Sequence, residues 1–247
     1  YRGGGRSSGR ETIGRVAAGA VASLILKELG ISICAYTKSI GSVSISMDRF
    51  QPELLGQTPT GMPDAESSAQ AEAYLEECMQ NHNSAGGVVE CVVDGVPAGI
   101  GEPVFDKLDA CLAKAISAVY QRKAVEIGDG CSVSTAAGTE NNDAFYMENG
   151  QIAKKTNHAG GILGGISDGS RIVLRAHIKP TPSVFSEQET VNKNGEDILI
   201  HIKGRHDPVI VPRAVVVVES MTALTLVDLI FAGMPSRMDG IKKFYGK

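Results

Sequence analysis

Chemistry is first suggested at the start of the chain, where RGGGRSSGRET (2–12) sets Arg2, Arg6 and Arg10 and the hydroxyls of Ser7 and Ser8 on a glycine-rich backbone ahead of an apolar run. Free amide N–H groups, hydroxyls and a helix start together suit an anion, phosphate above all. An ordinary glycine-rich lead-in with capping serines fits the spacing equally well, because the P-loop lysine and a preceding strand are missing.

Three further runs carry polar groups at deliberate-looking spacing. KPTPS (179–183) follows a strand-like segment and makes a stiff shelf of one lysine and two hydroxyls, with two prolines fixing φ, although on this motif alone a strand-ending turn is the plainer reading. NHAGGILGGISDG (157–169) is so rich in glycine that its backbone can approach something flat or crowded. An exposed flexible loop is the plainer reading, but Ile162, Leu163 and Ile166 fit it badly. GRHDP (204–208) places Arg205, where a guanidinium can hold a phosphate or carboxylate in two-pronged fashion, beside Asp207, a candidate base. His82, His177 and His201 each stand apart and read as surface or packing residues. Glu140, Asn141, Asn142 and Asp143 are polar enough for a cation, though loop polarity accounts for them as well. The sequence has no nucleophile elbow and no paired metal ligands.

These residues need elements to hold them. Ser8 or Ser7 caps a helix over 10–29 that stops at Gly30. Its apolar residues, Ile13, Val16, Ala17, Ala20, Val21, Leu24 and Ile25, leave little polar face, so burial between layers is expected. A strand over 31–45 with a bend at Gly41 follows, then a proline-rich loop over 49–63. Asp64 starts an acidic helix to 79, and 86–93 is a strand. Residues 94–103 are turn, 105–119 a helix, and 125–134 a strand bent at Gly128 and Gly130. A glycine-rich loop over 160–169, strands over 171–178 and 198–202, and a long apolar helix over 213–232 complete the reading. No linker splits the chain, so 1–247 reads as one α+β domain.

Composition narrows the classes. Apolar residues make up 43%, enough for a sizeable core. A net charge of −4 and the absence of tryptophan argue against a dedicated nucleic-acid binder. Cys34, Cys78, Cys91, Cys111 and Cys131 are odd in number and widely spaced, which suits buried free thiols in a reducing compartment better than disulfides or zinc. The apolar run 214–232 is cut by Glu219 and Asp228, which speaks against a membrane span.

Taken in order, RGGGRSSGRET, DGVPAGIGEPVFDKLDA, EIGDG, NHAGGILGGISDG, KPTPS, GRHDP and PRAVVVVESM resemble the chorismate synthase family from residue 1 to about 231. The resemblance implies a β-α-β sandwich with helices buried between antiparallel sheets, a homotetramer and a cytoplasmic enzyme of the shikimate pathway to the aromatic amino acids. It implies a lyase reaction, the trans-1,4 elimination of phosphate from 5-enolpyruvylshikimate 3-phosphate to give chorismate. Reduced FMN is the cofactor, and NAD(P)H serves only indirectly, to reduce the flavin. Neither nucleic acid nor membrane is implied as a partner.

By position, the resemblance assigns flavin contacts to Arg6, Ser7, Ser8, Tyr120, Gln121, Gly164, Lys179, Pro180, Thr181, Pro182, Ser183 and Arg205. Substrate contacts fall on Ser8, Arg10 and Arg205, and Asp207 matches the aspartate that assists proton uptake at the flavin. Tyr120 and Gln121 depart from the pattern, since they are larger than the family's usual Asn-Ala pair. Family members also carry a preceding part with a GESHG motif and a second histidine in an HADYTY-like motif. The chain therefore reads as the C-terminal two-thirds of such an enzyme, expected to make no chorismate at a useful rate by itself. The alternative to the enzyme is a non-catalytic folded core or oligomer scaffold that binds FMN weakly or not at all.

Overall fold

A computed structural model describes residues 8–119, 121–202, 204, 207–234 and 238–246. Helix α1 (Ile13–Glu28) is preceded by a 3-10 turn, Gly9–Thr12, where the Ser8 hydroxyl accepts the Arg10 amide at 3.3 Å and Thr12 Oγ1 donates to Gly9 O at 2.6 Å. The helix closes as the sequence predicts: Gly30 takes φ 74°, its amide returns to Lys27 O, and the Ile31 amide reaches Leu26 O at 2.9 Å. That pair of bonds is the Schellman closure, which favours glycine because the left-handed residue carries no Cβ penalty.

The run 31–45 is not one bent strand. β1 (Ser32–Ile40) turns at Gly41, φ 55°, into the short antiparallel β2 (Val43–Ser44). α2 (Ala65–Gln80) begins at Asp64, which is 1% exposed. Burial alone would raise that carboxyl. The amides of Ser46 and Ser67, the Ser67 hydroxyl and the Arg49 guanidinium outweigh it and hold Asp64 well below the usual carboxylate range. β3 (Gly87–Asp94) follows, and α3 (Leu108–Ser117) buries Leu108, Leu112 and Ile116 at four-residue spacing.

β4 (Arg122–Ile127) ends where the sequence reading has a bent strand continuing. Gly128 turns the chain, and Gly130–Thr135 is a 3-10 turn. Two antiparallel hairpins come next. β5 (Phe145–Glu148) pairs with β6 (Gln151–Lys154), and the glycine-rich run folds into β7 (Ile162–Leu163) and β8 (Ile166–Ser167) rather than a plain loop. β9 (Ile172–Ile178) alternates strictly, with Ile172, Leu174, Ala176 and Ile178 inward. β10 (Gln188–Val191) and β11 (Asp197–Ile200) form another hairpin, and α4 (Val211–Gly233) and α5 (Met238–Phe244) end the fold.

The five-stranded sheet has the order β2-β1-β3-β9-β4. The chain forms two compact units. One comprises Tyr1–Ala35, Glu90–Ala176 and Val216–Lys247, the other Tyr36–Val89 and His177–Val215. In the first unit Gly19 of α1 lies against α4 so closely that a Cβ there would sit 2.6 Å from Ser220 Cα. α1 is buried on that side only, through Gly19, Ala22 and Leu26. Its opposite side, expected from composition to be buried, leaves Ile13, Val21 and Leu24 at 77%, 59% and 66% exposure in the single chain. α4 is long and apolar enough to cross a membrane by length and composition. Ser220, Thr222, Ala223 and Leu226 are nonetheless buried within the fold, the pattern of a core helix.

Candidate functional site

In the second unit, α2 closes with the same pair of bonds as α1. The Asn83 amide reaches Cys78 O at 2.8 Å and the His82 amide reaches Met79 O at 3.1 Å. The left-handed position that glycine fills after α1 is here His82, at φ 52°. The chain then runs as a strap through residues 83–86. Ser84 Oγ donates to Thr181 O at 2.7 Å, and the Ala85 amide donates to Pro208 O at 2.7 Å. Gly86 is equally constrained, for a Cβ there would lie 2.5 Å from Ile178 O and 3.0 Å from Pro180 Cδ. One strap thus ties the KPTPS run to the end of the GRHDP run.

The result is a cleft of about 580 Å³, within the range of small-molecule sites. Met79, Val184, Phe185 and Pro208 supply an apolar wall; His82, Asn83, Ser84, Ser183 and Asp207 supply polar groups. The His82 and Phe185 rings meet edge to face, centroids 6.1 Å apart. Asp207 is fixed by Arg213, whose Nη1 donates to Oδ2 at 2.6 Å and Nη2 to Oδ1 at 3.2 Å. Among the described residues, Thr181 Oγ1 is buried and has no hydrogen-bond partner, a deficit that typically costs about 1–3 kcal/mol until something supplies the bond.

The first unit builds a different scaffold around NHAGGILGGISDG. Burial would raise the Asp143 carboxyl, but the Ala159 amide, the Thr156 hydroxyl, the His158 amide and Lys154 hold it well below the usual range. Lys154, 4% exposed in its side chain, also pairs with Asp168 at 2.6 Å. Gly128 and Gly160 pack backbone to backbone: a Cβ on Gly128 would lie 2.6 Å from Gly160 N, and one on Gly160 2.5 Å from Gly128 Cα. His158 Nδ1 meets Asp129 Oδ2 at 2.6 Å, and Arg175 bridges Glu90 and Gly128 O, each at 2.6 Å. This frame presents Gly164, φ 59°, at the β7–β8 turn with open space around it. Asp143 is saturated and Glu140 accepts the Ala137 amide, so loop hydrogen bonding accounts for the 140–143 polar run. Among the described residues no cluster of three metal-ligating side chains forms.

The residues singled out in the sequence divide between the units. Ser8, Arg10, Gln121 and Gly164 belong to the first; Lys179, Pro180, Thr181, Pro182, Ser183 and Asp207 belong to the second. Ser183 and Asp207 come together in the cleft. Gln121, at φ 62°, has a buried Oε1 without a partner among the described residues. Arg6, Ser7, Tyr120, Arg205 and His206 lie outside the described residues. Sequence reasoning missed His82 and Phe185 as cleft residues. The signal for His82 was a histidine standing where an acidic helix must close in the left-handed region.

The described residues form an α+β fold with a cleft of small-molecule size in its second unit. The sequence profile of the family described as "Chorismate synthase" matches residues 1–231. The chain is 63% identical over 248 residues to a chorismate synthase of Lachnoclostridium phytofermentans and 60% identical over 247 residues to one of Lachnospira eligens. It is matched along its whole length in both cases and spans 68% of each relative. A solved structure described as "Crystal Structure of Chorismate Synthase" superposes with a TM-score of 0.78 at 28% identity, covering 97% of this chain and 68% of its own. The chain belongs to the chorismate synthase family. That family is one of lyases, with 5-enolpyruvylshikimate 3-phosphate as substrate and a requirement for reduced flavin.

Proposed function

We propose that this chain belongs to an enzyme that converts 5-enolpyruvylshikimate 3-phosphate to chorismate by trans-1,4 elimination of phosphate, with FMN as the reduced flavin and NAD(P)H serving only to reduce it. The observation that carries the residue assignment is the cleft holding Ser183 and Asp207, next to a KPTPS run whose Thr181 Oγ1 is buried without a partner. These residues fit a flavin. The apolar wall suits a flat ring, and the polar edge and the orphaned hydroxyl suit its carbonyl and N–H groups.

By position, the flavin contacts are assigned to Lys179, Pro180, Thr181, Pro182 and Ser183 of the second unit and to Ser8, Gln121 and Gly164 of the first, with Arg6, Ser7, Tyr120 and Arg205 outside the described residues. In the first unit, Gln121 Oε1 has no partner among the described residues and is free to accept an N–H or hydroxyl. Ser8, Arg10 and Arg205 are assigned to the substrate's anionic groups, where charge-assisted bonds are the strong ones. Bound reduced flavin supplies transient electron density that weakens the carbon–oxygen bond to the departing phosphate. Asp207, aimed by Arg213, accepts or returns a proton at its carboxylate oxygens. The match of named homologues along the whole chain favours the enzyme, and nothing favours the non-catalytic scaffold. The working form is a cytoplasmic homotetramer, a reading supported by the uncovered apolar side of α1.

The test is a titration of the chain with FMN, oxidised and dithionite-reduced, with and without the enolpyruvyl substrate, read by the flavin spectrum. Saturable binding tightened by substrate is expected. Absence of a spectral change at any FMN concentration overturns the assignment.

A further inference from the structure

We propose that His82 is a ligand-facing residue of the Asp207 cleft, its imidazole hydrogen-bonding the polar edge of the bound flavin ring. The inference rests on the flavin reading above and extends it to a residue that reading does not include. The backbone supplies the first argument. α1 and α2 end with the same two bonds, yet the left-handed residue is Gly30 in one and His82 in the other. Only glycine meets that conformation without a Cβ penalty, so closure of α2 by itself favours glycine here. Strain of this kind persists where the side chain has a use.

The surroundings supply the second argument. His82 lines the cleft together with Ser183 and Asp207, and its ring meets Phe185 edge to face at the wall. The left-handed backbone directs the chain into the strap, where Ser84 holds Thr181 O and Ala85 holds Pro208 O. His82 is therefore anchored to both polar runs of the cleft by its immediate neighbours. An imidazole offers one donor and one acceptor in its neutral form, which matches the alternating N–H and C=O groups on the edge of a flavin ring.

Substitution by glycine separates the two roles, because it improves the helix closure while deleting the imidazole. His82→Gly is expected to unfold at the same temperature as the parent or roughly 2–4 °C higher. Its FMN dissociation constant, from quenching of flavin fluorescence, is expected to rise roughly five- to tenfold, the size of one hydrogen bond. His82→Asn, which tolerates the left-handed region and keeps a polar head, is expected to fall between the two. A His82→Gly chain that binds FMN as the parent does overturns the inference and leaves the flavin reading standing. One that melts earlier than the parent assigns His82 a structural role and also overturns it. A parent chain that binds no FMN removes both.

Discussion

Arg213, at the start of α4, grips both carboxylate oxygens of Asp207 across six residues of chain. The side chains are 72% and 36% exposed, so the pair is worth only about 0–1 kcal/mol to stability. What it fixes is direction: a two-pronged contact leaves the carboxylate one orientation at the cleft.

Asp207→Asn is accordingly expected to leave the unfolding midpoint almost unchanged while lowering the rate of chorismate formation in the enzyme to which this chain belongs by about 10²–10⁴-fold, the usual contribution of a proton-transfer group. Arg213→Gln should show a smaller loss of the same kind. Anaerobic turnover with dithionite-reduced FMN, following chorismate absorbance and phosphate release together, measures both. An Asp207→Asn protein with the parent's kcat would dismiss Asp207 as the proton-handling group.

Glu219 sits on α4 and accepts the Ala35 amide at 2.9 Å. Burial pushes its carboxyl up from an ordinary value of 4.5, and the single amide does not offset this. A carboxyl raised by folding binds its proton more tightly in the native state. Its favourable contribution is complete below the unfolded value and disappears as pH rises through the folded one. Glu219→Gln, which keeps the acceptor and removes the charge, should therefore raise the thermal midpoint near neutral pH and give no gain below about pH 4. Equal shifts at both pH values would show that the charge is not what matters. Asp143 and Asp64 run the opposite way: their lowered carboxyls stabilise the fold above the unfolded carboxylate range, and that stability is lost as pH falls below it.

The outer side of α1 gives a third expectation. Ile13, Val21 and Leu24 lie on one flank of the helix, and Ala17 and Ala20 between them are small enough for another helix to approach. Placing a charge there, as in Val21→Glu with Leu24→Glu, is expected to shift the mass in light scattering from the assembled form to a smaller one while the single chain stays folded. An unchanged mass for the doubly charged protein would show that this flank of α1 makes no contact between copies.

Local chemistry explains which parts of this fold could be read in the sequence. Ser8, Asp64 and Gly30 announced their helix ends because a cap needs a side-chain oxygen or a left-handed residue at one position. The hairpin β5–β6 was missed although Asn149-Gly150, both at positive φ, is a strong two-residue turn signal. Its strands mix polar and apolar residues and pack on no continuous face, so no alternation stood out. In the site, KPTPS and RHD were legible as polar clusters on stiff backbone. The strap at Ser84 was not, because it acts through a main-chain partner about a hundred residues away in sequence; the closure at His82 is local, but a histidine does not carry the signal that glycine gives at that position.

Gly128 and Gly160 occupy the space that each other's side chain would need. The obstruction on both sides is main chain, so shrinking a neighbouring side chain cannot make room. Neither position can vary first and wait for the other to compensate. In a lineage under mutation the two glycines therefore behave as one frozen character, inherited together or lost together with the loop they support.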